Sequence, residues 1–173
     1  MKAKLKVIKG DITQCQVDAI VNAANASLLG GAGVNGAIHQ AAGPELLEEC
    51  KKLNGCLPGQ AKITQAYHLP AKYVIHAVGP IWRGGSKGEP QQLASCYTNS
   101  LKLALEKKIK SIAFPAISCG IYGYPLSQAA TIAVKETANF LELYNNVESV
   151  YFVCFDDPVQ EAYQQALSNL SYD

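Results

Sequence analysis

Three stretches of this chain offer water no polar face. Residues 19–21, the run from Tyr73 to Val78 interrupted only by His76, and residues 150–155 are apolar at successive positions, so a strand built from any of them buries both sides. A sheet covered on both sides needs helices between its strands, and helical spacing fills the intervals. Val34, Ala37, Ile38 and Ala41 form one such pattern; Leu46, Leu47 and Cys50 form a second, opened by Gly43-Pro44 and closed by Gly55. Leu93, Cys96, Tyr97, Leu101 and Ala104 follow, then Leu126, Ala129, Ala130, Ala133, Thr137 and Phe140, and finally Val159, Ala162, Tyr163, Ala166 and Leu170. Further strands are expected over residues 61–67 and 111–117, the second ending irregularly at Pro115. A first strand, in which Lys2, Lys4 and Lys6 alternate with Ala3, Leu5 and Val7, has one wet face and belongs at the periphery. Strands alternating with helices imply an α/β fold, a three-layer α/β/α sandwich around a largely parallel sheet, with residues 1–173 as one domain.

Composition narrows the partners. A formal net charge of +1 and a pI near 7.6 provide no broad basic field, so extended contact with a nucleic-acid backbone is not expected. No apolar run is long enough for a bilayer. Cys15, Cys50, Cys56, Cys96, Cys119 and Cys154 make no C-x-x-C pair, and the chain opens directly into a strand, which together fit free thiols in a reducing cytoplasm. His39, His68 and His76 fall in three different elements and nothing has metal-ligand spacing, so neither a metal nor another cofactor is expected. His76, alone in an apolar run, reads as a satisfied core residue.

The polar and glycine-rich features gather at the carboxyl ends of the expected strands: Gly10-Asp11, residues 22–36, residues 118–123, and Phe155-Asp156. In open α/β sheets this is the edge at which ligands bind. The stretch 22–36 runs from a strand through Gly30, Gly31 and Gly33 into a helix expected to begin near Val34. Glycine admits positive φ and close approach to the main chain, and the helix start adds unpaired N–H groups, an arrangement suited to phosphate. Taken alone, the loop is equally a tight connection. Residues 31–36 also fit G-x-G-x-x-G, but residues 22–30 separate them from the strand and no acidic residue ends a strand at the required distance, so a dinucleotide fold is set aside. A phosphate loop of the Walker type is excluded because no glycine precedes Lys-Ser or Lys-Thr.

Five motifs together resemble the macro domain family: GDIT at 10–13, VNAAN at 21–25, LLGGAGVNGAIH at 28–39, LPAKYVIHAVGP at 69–80 and FPAISCGIYGYP at 114–125. The branch most similar is that of the MacroD-type hydrolases, including bacterial O-acetyl-ADP-ribose deacetylases. The resemblance implies a mixed, mostly parallel sheet between helical layers, a cleft for ADP-ribose, and as partners ADP-ribose, its O-acetyl ester or ADP-ribosylated proteins. It places Asp11 and the Ile12 N–H at the adenine, with Phe155 as the apolar neighbour of the base. Asn22 and Ala23 line the cleft where their strand ends. Gly31, Ala32, Gly33 and Val34 form one diphosphate loop, and Ser118, Cys119, Gly120, Ile121 and Tyr122 form the other. Asn25 orients the distal ribose, and position 35 adjoins the hydrolytic water.

Each assignment has a plainer counterpart. Asp11 also suits a turn or a helix cap; Phe155 also suits a core position; Tyr122 is equally a ribose contact or a cover for the core edge. Asn25, and more so Asn22, also suit a left-handed strand exit. Three positions depart from the resembled pattern. Cys119 stands where threonine is usual, and with no histidine beside it reads as a small buried residue rather than a nucleophile. Ala32 replaces a glycine, which puts a methyl near the phosphates and disfavours positive φ. Asn35 replaces the aspartate proposed as general base, and an amide accepts no proton at neutral pH.

Overall fold

The runs with two apolar faces become the middle of a six-stranded sheet in a computed structural model that describes residues 4–170. The strands are Leu5–Lys9 (β1), Ala19–Ala24 (β2), Ala61–Gln65 (β3), Tyr73–Val78 (β4), Ser111–Phe114 (β5) and Ser149–Cys154 (β6). Helices Gly33–Ala42 (α1), Pro44–Lys51 (α2), Glu89–Glu106 (α3), Leu126–Leu143 (α4) and Asp157–Ser168 (α5) connect or follow them. The sheet order is β1-β6-β5-β2-β4-β3. Only β3 runs antiparallel, against β4; the other pairings are parallel. The mixed, mostly parallel sandwich is the one that the motifs implied. Lys2 and Ala3, at the start of the alternating first strand, lie outside the described residues, and β1 takes the expected edge position.

Side chains alternate across the sheet. Val21, Ile75, Phe114 and Phe152 face a core built with α3, α4 and α5, while Ile20, Val74, Ala113 and Val153 face a smaller one built with α1 and α2. Element ends shift from the expected ones for identifiable reasons. Pro115 has no N–H for the ladder, and β5 stops at Phe114. Tyr67, at φ 55°, turns the chain after β3, which ends at Gln65 instead of reaching Tyr67. Strand β6 ends at Cys154 and leaves Phe155 outside it. Helix α2 closes on Lys52 rather than Gly55, and Leu47 is only partly buried.

One loop outside the expected site is built around an internal anion. Glu89, 1% exposed at the start of α3, accepts the main-chain N–H groups of Arg83 at 2.7 Å, Gly85 at 2.9 Å and Lys87 at 2.6 Å. The loop so gathered is tied to residues 118–124: Trp82 N–H donates to the Tyr122 carbonyl at 2.8 Å, Ser118 Oγ donates to the Pro80 carbonyl at 2.8 Å, and the Trp82 and Tyr124 rings lie 4.7 Å apart. Burial by itself raises the Glu89 carboxyl, but donors from Gly85, Glu89 itself, Arg83 and Lys87 outweigh it and bring it down to about 2.

Because the folded value lies below the unfolded carboxylate value of about 4.3, the ionised Glu89 stabilises the fold above that pH, and its contribution is lost as pH falls toward about 2. Glu89→Gln cannot titrate and leaves an amide N–H against N–H donors. The urea midpoint of the variant is expected to lie below that of the parent at neutral pH, with the gap closing through this acid window. A gap that stays constant with pH would mean that Glu89 is not the linked group.

Candidate functional site

Parallel strands deliver their carboxyl ends to one edge, and the sheet order fixes how the loops follow one another there: Asp11 after β1, Phe155 after β6, residues 118–122 after β5, residues 25–35 after β2. Three strand spacings, roughly 14 Å, separate the first from the last. Strands β2 and β5 are neighbours whose onward connections leave to opposite sides of the sheet, so a crevice opens between their loops.

At the β1 end, Asp11 precedes a short 3₁₀ turn, Ile12–Gln14, and its Oδ1 accepts from Thr13 N at 2.9 Å and Thr13 Oγ1 at 2.7 Å. The cap reading therefore holds for Oδ1. Oδ2 keeps its lone pairs for a ligand, beside the first N–H of the turn at Ile12, which has no partner within so short a helix. Phe155 is 66% exposed, so the core reading of this residue fails and an aromatic face stands open.

The loop after β2 leads into α1, whose N-cap Ala32 has an extended φ of −98° and no side chain able to cap. The first N–H groups of the helix, from Gly33 through Asn35, thus lack the oxygen that Ser, Asp or Asn would supply. Positive φ falls on Gly33, at 59°, so the methyl of Ala32 causes no backbone strain. Val34 is partly buried and Asn35 is 6% exposed. Gly36 fits tightly, since a methyl there would run into the Gly31 carbonyl oxygen.

Asn25 and Asn35 come together on either side of Gly31: a Cβ at that glycine would stand 3.4 Å from Asn25 Nδ2 and 3.0 Å from Asn35 Nδ2. Asn25 is largely engaged by its own loop. Its Oδ1 accepts from Ser27 Oγ at 2.8 Å and Leu28 N at 3.2 Å, and its Nδ2 donates to the Gly30 carbonyl at 2.9 Å, leaving one N–H. Neither Asn25 nor Asn22 adopts the left-handed conformation that their type allows; Leu28 and Ser118 do, at φ 63° and 66°. Asn22 is structural in another way, fully buried in β2 beside the partly buried Ala23, with Nδ2 3.0 Å from Asn35 Oδ1 and 3.2 Å from His76 Nδ1.

In the loop after β5, the Ser118 hydroxyl is committed to Pro80, so the main chain is what Ser118 can offer a ligand. A Cβ at Gly120 would meet nothing within 4 Å, and Ile121 is 88% exposed. Tyr122 is partly buried, its carbonyl held by Trp82. Cys119 packs against the larger core, and its thiol, raised to about 12 by burial and then by Cys154, is no nucleophile.

The sequence reading missed two supports of this site. Thr64 lies under His76, with Oγ1 3.0 Å from its Nε2, and Glu89 holds the loop that anchors Tyr122. A glutamate just ahead of Pro90 in a glycine-rich loop was the available signal for the second. His76 is the satisfied core histidine expected, with burial and then His39 lowering its pKa to about 3.

Comparison with known proteins places this geometry in company. The family model described as Macro domain matches residues 21–133. A macro domain-containing protein of Chlorobaculum tepidum is 59% identical over 164 residues, 95% of each chain. The O-acetyl-ADP-ribose deacetylase of Citrobacter rodentium is 55% identical over 172 residues, 97% of each chain. The solved Oceanobacillus iheyensis macrodomain with ADP superposes with a TM-score of 0.89 at 43% identity, over 95% of this chain and 90% of that one. A Trypanosoma brucei macrodomain in complex with ADP-ribose gives 0.89 at 44% identity, over 95% and 69%.

The contact at Gly36 generates a stability expectation. Gly36→Ala improves intrinsic helix propensity, yet forces the methyl against the Gly31 carbonyl. It should lower unfolding free energy by about 1–3 kcal/mol, the usual range for overpacking. Denaturant unfolding of the two proteins measures this, and an unchanged or raised midpoint would show that residues 30–32 yield freely.

Proposed function

The chain belongs to the macro domain family, and from that premise we propose that it binds ADP-ribose along the carboxyl edge of its sheet and hydrolyses esters at the distal ribose. The substrates would be O-acetyl-ADP-ribose and mono-ADP-ribose esterified to protein carboxylates. The observation that carries this reading is the order of loops along one edge: an aromatic face and an acidic residue, then two loops of accessible N–H groups, then paired asparagines. Adenine takes the Asp11 and Phe155 end. The diphosphate lies between the uncapped start of α1 and the main chain near Gly120. The distal ribose reaches the remaining N–H of Asn25, with Tyr122 against it. Six unpaired cysteines support a reducing compartment, and we assign the protein to the cytoplasm.

Hydrolysis needs a water oxygen to add to the acyl carbon, after which the acyl–oxygen bond breaks and the ribose hydroxyl leaves with a proton. No carboxylate stands at position 35 to accept the water's proton. The remaining acceptor in this arrangement is an oxygen of the ligand's own diphosphate. Turnover on that route is slow, and the same observation favours, as a second reading, a module that binds ADP-ribose without releasing product.

Calorimetry with ADP-ribose tests binding, and acetate release from O-acetyl-ADP-ribose separates the two readings. Asp11→Ala should weaken ADP-ribose by about 1.5–3 kcal/mol, the range for a hydrogen bond to a charged group, and Gly120→Glu should abolish binding in a protein that keeps its melting temperature. Equal affinity in both variants would move the ligand elsewhere.

A general base commonly contributes about 10² to 10⁴ in rate. Asn35→Asp should therefore raise single-turnover acetate release at neutral pH with substrate saturating, and Asn25→Ala should lower it in either background. Equal rates for parent and Asn35→Asp would assign the water's proton to the substrate alone.

A further inference from the structure

Beneath the paired asparagines runs a line of buried polar groups crossing three strands. Asn35 Oδ1 is 3.0 Å from Asn22 Nδ2, which is 3.2 Å from His76 Nδ1. His76 Nε2 is 3.0 Å from Thr64 Oγ1, and that oxygen is 3.0 Å from the Gln65 carbonyl. Asn22 and His76 are 0% exposed and Thr64 2%, so each proton must be placed among these groups and the buried Cys50 thiol, whose Sγ lies 3.8 Å from His76 Nε2.

The placement begins at the Gln65 carbonyl. A carbonyl oxygen can only accept, so the Thr64 hydroxyl donates to it and Oγ1 in turn accepts the Nε2 proton of His76. The neutral imidazole then has a bare lone pair at Nδ1, which accepts one N–H of Asn22, and the second N–H of Asn22 goes to Asn35 Oδ1. The opposite sense would leave Nε2 to accept from the Cys50 thiol, a weak donor at 3.8 Å, or draw the Thr64 proton off Gln65. It would also turn both N–H bonds of Asn22 into the spot where Oδ1 now sits with no hydrogen-bond partner. A buried amide donor without an acceptor is the rarer and costlier defect. With its oxygen turned inward, Asn35 directs Nδ2 toward Gly31.

We propose that the Thr64–His76–Asn22 line fixes Asn35 as a hydrogen-bond donor to an acceptor oxygen of bound ADP-ribose, with His76 as the positioning residue that sets this polarity. The proposal rests on the ligand assignment made above. Its chemistry differs from that of a base at the same position. A donor occupies a lone pair of the oxygen that it meets and takes no proton from water, so Asn35 holds the ligand beside the N–H groups of the first turn of α1. An aspartate at position 35 would accept from Asn22 equally well but would present a negative charge where the amide presents N–H.

The ring-nitrogen chemical shifts of His76 in isotopically labelled protein read the polarity directly. Protonated Nε2 with bare Nδ1 at neutral pH is expected, and the opposite tautomer overturns the proposal. Calorimetry with ADP-ribose reads the donor. Asn35→Ala and Asn35→Asp are each expected to bind roughly ten- to a hundredfold more weakly than the parent, as for one lost hydrogen bond to a charged group. Affinity unchanged or improved in both overturns it.

His76→Leu removes the acceptor for Asn22 and should match the loss in Asn35→Ala, adding nothing further in that background. In His76→Asn the side-chain oxygen stands two bonds beyond Cβ, as Nδ1 does, and should restore most of the affinity; failure of this rescue in a folded variant counts against positioning. Should His76→Leu not fold, the tautomer and the Asn35 variants still decide. If the unaltered chain does not bind ADP-ribose at all, the ligand assignment falls, while the tautomer still judges the polarity of the line.

Discussion

Adjacent parallel strands cannot be joined by a hairpin, and the rest of this molecule follows from that restriction. Each of β1, β2, β4, β5 and β6 must be followed by a segment that leaves the carboxyl edge. For most of them the chain then crosses a face and re-enters at the opposite edge. The crossings through α3 and α4, joined by α5, keep Val21, Ile75 and Phe114 dry on one face, while the β2–β3 connection, which returns to the carboxyl edge because β3 is antiparallel, lays α1 and α2 over Ile20 and Val74 on the other. The exits bring residues distant in sequence into one row. Asp11 and Phe155 are neighbours along that row because β1 pairs with β6, although nearly the whole chain separates them.

Much of this was legible in the sequence because apolar periodicity is a direct consequence of burial. Residues 73–78 read as a buried strand and became one to the residue. The carboxyl-edge row was legible from the placement of glycines and polar residues after each run, and the resemblance supplied the order of ligand contacts. What could not be read was how a polar side chain divides its hydrogen bonds. Asn25 promised a free amide, but Ser27, Leu28 and Gly30 take most of it, because a short loop with few outside partners satisfies itself from within. Asn22 and Asn25 also suited left-handed backbone, yet Leu28 and Ser118 carry it, since packing of the loop and not residue preference decides which position turns. Phe155 read as the last residue of a buried strand and so as core, because apolar periodicity does not show where a strand stops; β6 ends one residue earlier and leaves the ring exposed.

Glu89 shows the same physics used twice in one fold. Three main-chain N–H groups close on a carboxylate that the chain supplies, and the loop so held fastens Tyr122 through Trp82. At α1, by contrast, the chain supplies N–H groups and withholds the anion.

The missing cap at Ala32 therefore links recognition to folding. A helix whose opening donors are satisfied by a guest is more complete with the guest than without it, so the free energy of association is also free energy of conformation, shared through one linked equilibrium. Under the proposed assignment, any small oxyanion in the surrounding solution would compete for the same donors. With the diphosphate assigned to these donors, as proposed, the resistance of this protein to unfolding would be a property of its medium as well as of its chain, rising and falling with the anions around it.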